Sequence, residues 1–564
     1  MAVNYLSPLK FNLSMRSLFF VLMYTFVLGF NVIGKDGGME KSAPFECPGY
    51  GMSKLFQLKN GNTFLVHFGQ TQGLNIKVFD NTRKKTVDFV AKSKFFDTEN
   101  PRNTKLEGVY ELSGNIALFL TGLEGQNIIM TRMIIDGNTG KILSDEKIAV
   151  VEKVSIWAGY MIAFAHSSPP DIFVEKDPNS DCYAVIVYND LAHETNKRIF
   201  VQHFNGDHKL INAAYFNAPN SNFKITRYLS AAVDGDKCVF LSTYASSGKN
   251  AKSGLSGAFV SKLSAGSKNF ENKAIPNTEK NRTVSSILRF NPKNNKLYLL
   301  KEYFVRKTFI DSVFDAELYC MNANSLNVLF SKQFEINKIQ SAVDAPVKKK
   351  YEFAGRPENM VINADNSISI LMEETMVSKT SNSRGTRSGG YKMINQTGIS
   401  VYSDAGVELN GYWCNKSQIN NNLSAQKEMC YREHGRWYAA RSKPFLGMFE
   451  NNADQYCSYE YIETSKGKYV LYNELPENFE KYFKRQPDAI RTYSNTVALL
   501  WKLGATENDK LKSLYGSYSA DKHSFNYIFS GNYDKSTNTY TTVAIDVNGK
   551  EKNAHVIWMD LDQM

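Results

Sequence analysis

Short apolar runs bounded by polar turns recur along the whole chain. The most regular are Thr63 to Phe68, Ile116 to Leu120, Tyr183 to Tyr188, Lys237 to Leu241, Leu297 to Leu300, Ile368 to Met372, Tyr469 to Tyr472 and Phe525 to Phe529. Runs of this length, rich in β-branched and aromatic residues, read as buried strands. Each is the second run of a four-run unit. In the first unit the runs are Lys54 to Leu58, Thr63 to Phe68, Asn75 to Phe79 and Val87 to Val90. Strand-rich units repeating at roughly 50 to 70 residues are the signature of a blade-by-blade ring. The expectation is an all-β propeller of eight four-stranded blades. Seven blades is the alternative, because the unit after Leu514 is the least regular.

The turns divide the molecule into two faces. First-to-second turns such as Lys59-Asn60-Gly61-Asn62 and Asp234-Gly235-Asp236 are short, as are third-to-fourth turns such as Asp136-Gly137-Asn138 and Asn205-Gly206-Asp207. Asn-Gly and its relatives supply the positive φ of tight hairpins. In an up-and-down blade both sets lie at one end. Every long segment then falls at the other end: Phe95 to Leu106, Ser155 to Asp171, Ser246 to Gly257, Arg306 to Ala316, Ser341 to Pro357, Ser378 to Gln396, Gly411 to Gln455 and Leu475 to Ser494. Long loops on a rigid scaffold are the usual seat of binding. Within the largest, 411–455, the stretch Ser424 to Arg436 is expected to form a short helix.

Composition narrows the class without naming a reaction. Aromatics at 13% and charged residues at 22% suit a folded sheet protein. Lys10 and Arg16 precede an apolar stretch from Leu18 to Ile33, so residues 1–34 read as a signal peptide, with an uncleaved membrane anchor as the alternative. Residues 35–50 follow as a linker and 51–564 as the propeller. The expected location is outside the cytoplasm: periplasmic, outer-membrane-associated or secreted. Seven cysteines are too few for a disulfide framework; Cys414 and Cys430 are the expected pair within the insertion. The spacing of Cys414, Cys430, Cys457 and His434 matches no common zinc pattern, and no metal or cofactor is expected.

The chain is basic, at +11, and the long loops carry a basic excess comparable to the whole. A one-sided basic face favours an anionic partner, a glycan or an envelope protein. In Ser378 to Gln396, Lys379, Arg384, Arg387 and Lys392 meet no acid, and Ser and Gly predict a mobile loop. With Arg436 and Trp437 of the insertion they form the candidate ligand-binding set. Nucleic acid is not an expected partner, and a monomer is expected.

Catalytic patterns are sparse. Phosphate-binding Gly-rich loops, nucleophile elbows, zinc-protease helices and calcium loops are absent from the sequence. Acids at second-strand ends, Asp190, Glu302, Glu373, Glu374 and Glu474, are the candidates should the ring be a glycan hydrolase or lyase working by paired carboxylates. The strand ends Tyr188-Asn189-Asp190, Tyr472-Asn473-Glu474 and Met372-Glu373-Glu374 resemble those of bacterial exported β-propeller-like proteins of unassigned function. The resemblance implies the fold and no activity. The leading expectation is a binding or scaffold module; catalysis is the alternative.

Overall fold

The second strand of each blade shows why these runs dominate the sequence. In the first blade, Gly51–Gln57 mixes partly buried and buried positions, Thr63–Gly69 is buried throughout, Gly73–Phe79 nearly so, and Lys85–Val90 has no buried position. A second strand is covered on both faces by neighbouring blades, so its alternation disappears into one apolar run. The computed structural model describes residues 38–564 apart from 50, 70–72, 99–103, 125–126, 152–169, 221, 248–255, 277–282, 308–311, 345–351, 382–386, 424–430, 434–435, 439–453, 482–488, 491, 506–510 and 517.

Eight antiparallel four-stranded blades form the ring. From the inner strand outwards, blade two is Thr104–Leu112, Asn115–Glu124, Asn127–Ile135 and Ile142–Val151. Blade three is Asp171–Lys176, Tyr183–Tyr188, Ile199–Phe204 and Leu210–Tyr215. Blade four is Ile225–Asp234, Cys238–Ser246, Ser256–Ser264 and Glu271–Ile275. Blade five is Thr283–Asn291, Lys296–Lys307, Ser312–Asn322 and Val328–Gln333. Blade six is Arg356–Ile362, Ile368–Ser381, Arg387–Tyr402 and Glu408–Cys414, with Gln418–Leu423 added beside its third strand. Blade seven is Glu460–Glu463, Lys468–Glu474, Val497–Lys502 and Leu511–Ser513.

Blade eight closes the ring and corrects two expectations. Its first three strands are Lys522–Asp534, Thr539–Asn548 and Glu551–Met559, and its fourth is Met39–Lys41 from the other end of the chain. Within the stretch 35–50, read from sequence as a linker, Met39–Lys41 therefore supplies an outer strand, with Phe45–Glu46 pairing beside it. Phe525 to Phe529 lies in the innermost strand of its blade, not the second, and residues 549–550 connect the second strand to the third. The count slips by one run because the fourth strand is borrowed.

The core is divided among the blade boundaries. Phe64, Val66 and Ile76 pack with Ile116, Leu118 and Met133 between blades one and two. Leu55, Leu65, Tyr527 and Trp558 do the same between blades eight and one. Each such side chain contributes about 1.5–3 kcal/mol of transfer free energy, so ring closure consolidates two boundaries at once. Trp558 Nε1 donates to Thr63 Oγ1 at 3.0 Å across that seam.

Sidedness follows the expected plan. The short turns are knitted from blade to blade: Asn60 Nδ2 donates to Gly137 O at 3.0 Å, Ser113 Oγ to Gly206 O at 3.1 Å, Gly235 N to Asp177 Oδ2 at 3.0 Å, and Asn291 Nδ2 to Asn366 Oδ1 at 3.1 Å. Two of the long segments differ from expectation. Ser378 to Gln396 is mostly a ribbon continuing two strands rather than a loop, with 382–386 outside the described residues. Of the stretch expected to form a helix, residues 424–430 and 434–435 lie outside the described residues, and Tyr431–Glu433 is a strand paired with Arg436–Tyr438 instead. The first of these strands approaches Arg356–Ile362, the inner strand of the same blade.

Candidate binding face at the loop-bearing end

Inner strands begin, and second strands end, on the loop-bearing face. The inner strand stands between the second strand and the axis, so second-strand acids sit within blade boundaries rather than around the axial opening. Four of the five candidate acids are buried: Glu302 is 5% exposed, Glu373 4%, Glu374 8% and Glu474 1%. Each is engaged. Arg356 donates to Glu302 from Nε at 2.7 Å and from Nη2 at 2.6 Å, and Ser285 Oγ donates to it at 2.7 Å. Glu374 accepts from Ala354 N at 2.7 Å, and Glu474 from Asn478 Nδ2 at 2.7 Å and Leu475 N at 2.8 Å. Asp190 is more open, with the Arg198 guanidinium 3.9 Å away.

Glu373 anchors the large insertion. Lys416 Nζ reaches it at 2.5 Å with no side-chain exposure, and Ser458 Oγ donates to the same carboxylate at 2.9 Å. Lys416 lies just after the strand that launches the insertion, and Ser458 just beyond its end, so one carboxylate ties both feet. Gln418 repeats the tie: its Oε1 accepts from Ser458 N at 2.6 Å, and its Nε2 donates to Asn473 O at 3.2 Å. Ile419 N donates to Ile490 O at 2.9 Å, and Ile490 N to Ser417 O at 3.0 Å, which binds the first foot to the long segment of blade seven. Sequence reasoning missed Lys416, Gln418, Ser458 and Arg356. A polar stretch such as Asn415-Lys416-Ser417-Gln418 shows no periodicity that marks it as buried.

Lys379, Arg387 and Lys392 belong to the blade-six ribbon, and Arg436 and Trp437 to the insertion hairpin. Arg384 lies outside the described residues. Backbone pairing places Lys392 opposite Val377 on one side and Asn420 on the other. The ribbon and the first strand of the insertion thus form one three-stranded platform projecting from blade six.

Among the described residues no cluster of His, Cys, Asp and Glu is arranged to hold a metal ion, and no helix is long and apolar enough to cross a membrane. Cys414 is buried at the end of its strand; its expected partner Cys430 lies outside the described residues, as does the signal-peptide stretch 1–34. His67 is fully buried at the end of blade one, with Ser53 Oγ 2.9 Å from Nδ1. Burial, reinforced by the Lys77 charge, pulls it down to about 3. It is a neutral group packed inside the blade at neutral pH.

No protein-family model and no curated protein matches the chain. Among solved structures it is similar to an ulvan lyase of a new polysaccharide lyase family at 9% identity and TM-score 0.37, over 67% of this chain and 88% of that one. It is also similar to the β-propeller domain of the trilobed protease from Pyrococcus furiosus at 8% and 0.31, over 81% and 95%. The N-terminal domain of Nup159 gives 8% and 0.31, over 93% and 94%. Likenesses this distant carry nothing about activity.

Proposed function

We propose that the loop-bearing face is a binding surface for an anionic polymer, an acidic polysaccharide being the class that fits best. The observation behind this reading is the unequal fate of charge on that face. The carboxylates at the strand ends are buried and internally engaged: Glu302 with Arg356, Glu373 with Lys416 and Ser458. The bases of the ribbon, Lys379, Arg384, Arg387 and Lys392, have no acid within 378–396 to neutralise them. A rigid ring then presents net positive charge from one side, which attracts a polyanion over its length. With four of the five candidate acids committed to structural contacts, two-carboxylate sugar chemistry has no open pair to work with, and binding is the better reading.

Retention on immobilised acidic polysaccharide, with a neutral polysaccharide of the same length as control, tests the proposal. Wild-type protein is expected to be held at low salt on the acidic matrix only. The triple variant Arg384→Ala, Arg387→Ala, Lys392→Ala is expected to elute early. Equal retention of wild type and variant would remove the ribbon from the account.

A further inference from the structure

Every arginine whose side chain the structure describes has a partner, with one exception. Arg83 meets Glu40 at 3.2 Å, Arg132 meets Glu146 at 3.0 Å, and Arg356 grips Glu302. Arg198 Nη1 donates to Lys224 O at 2.6 Å, and Arg289 Nε to Met360 O at 3.0 Å. Arg227 is the exception: among the described residues nothing hydrogen-bonds to its guanidinium, pairs with it or stacks on it. It is nevertheless partly buried. It stands on Ile225–Asp234, the inner strand of blade four, near the loop-bearing end. The one acid of that strand, Asp234, lies at the opposite end, about 20 Å away, and is met there by Lys237 at 3.4 Å.

Alternation along the strand decides where the head goes. Tyr228 turns towards blade three, its ring 4.8 Å from that of Phe173, so Arg227 turns the other way, towards blade five. Deeper along the same strand, Ser230 Oγ meets Ser286 Oγ at 2.9 Å and closes the boundary between blades four and five. No strand separates an inner strand from the axis, so the open part of Arg227 lies at the axial opening. We infer that Arg227 is an oxyanion contact at that opening, taking a carboxylate or sulfate group of the acidic polymer. The inference rests on the binding reading above and adds to it a second point of contact, two blades from the ribbon. A guanidinium keeps its charge wherever it is placed, and its planar fork matches those oxyanions. Its immediate neighbours, Thr226, Tyr228 and the opposed Tyr244, offer no carboxylate. Part-burying an unanswered charge costs stability, and a bound oxyanion answers it with charge-assisted hydrogen bonds.

Calorimetry and thermal melts on the whole protein test the inference. The probe is a heparin oligosaccharide, which carries carboxylate and sulfate together, and the control is a neutral dextran oligosaccharide. Arg227→Gln should weaken heparin binding about tenfold, and Arg227→Lys, which keeps the charge but loses the fork, by less. Neither should lower the thermal midpoint of the unliganded protein, because no group in the fold loses a partner. With carboxyl-reduced or desulfated heparin, the difference between wild type and Arg227→Gln should vanish for the form that lacks the group Arg227 takes. Unchanged affinity in both variants overturns the inference and leaves the ribbon to act alone. A lowered midpoint in either variant overturns it as well, since the guanidinium then serves the fold. A wild type that ignores heparin instead removes the binding reading itself, and this contact with it.

Discussion

Lys416 and Glu373 form a buried ion pair at 2.5 Å, joining the first foot of the 411–455 insertion to the second strand of blade six. Removing one partner from such a pair strands a buried charge, at a cost of about 3–5 kcal/mol. Glu373→Gln and Lys416→Met should each lower denaturation free energy by about that much. The double variant should lose markedly less than the sum, because the charges leave together. Urea unfolding of the four proteins measures the coupling, and additive losses would show that the pair does not fasten the insertion.

Acid should weaken the fold through one buried and one half-buried histidine. The folded-state value of His67 is lowered to about 3 and that of the half-buried His208 to about 4, in both cases chiefly by desolvation. The unfolded chain binds its proton near pH 6.5, so between pH 6.5 and about 3 it holds more protons than the folded one. Stability is full above 6.5 and falls as pH drops through that window, by about 1.4 kcal/mol per pH unit for each fully displaced histidine. His67→Asn should flatten part of that slope while leaving a pH-independent loss from the smaller side chain. A slope unchanged in the variant would place the acid sensitivity elsewhere.

Closure by the N-terminal strand makes a separate prediction. Ser42 N donates to Val556 O at 2.9 Å and Val556 N to Ser42 Oγ at 3.0 Å. Lys41 meets Asp546, and His555 reaches the same carboxylate from 3.3 Å. Deleting residues 38–46 should leave Glu551–Met559 as an uncovered edge and lower the thermal midpoint. The earliest gain in amide exchange should appear in blades eight and one. Uniform loosening of all eight blades would argue against a ring held at one seam.

The eight-fold repeat was legible because second strands are covered on both faces, as Tyr183–Tyr188 and Ile368 to Met372 illustrate. Sidedness was legible because turn chemistry is local: Gly61 and Gly235 take positive φ where the sequence placed tight hairpins. What sequence could not reveal was long-range. Nothing near Met39 marks it as the partner of Met559, 520 positions away. Nor does anything near Glu373 show that its charge is consumed by Lys416. An acid at a strand end reads identically whether it faces solvent or a buried lysine, so the catalytic candidates needed a three-dimensional test, and the ribbon of Ser378 to Gln396 passed for a loop because its glycines hide strand pairing.

We propose that the loop-bearing face holds a polyanion by charge. Its most direct test is the affinity for a defined acidic oligosaccharide, measured by calorimetry from 50 to 300 mM salt in the wild type and in the Arg384, Arg387, Lys392 alanine variant. A logarithmic affinity that falls linearly with the logarithm of salt is expected, with a shallower slope in the variant. Failure to bind at 50 mM, or binding indifferent to salt, would contradict it.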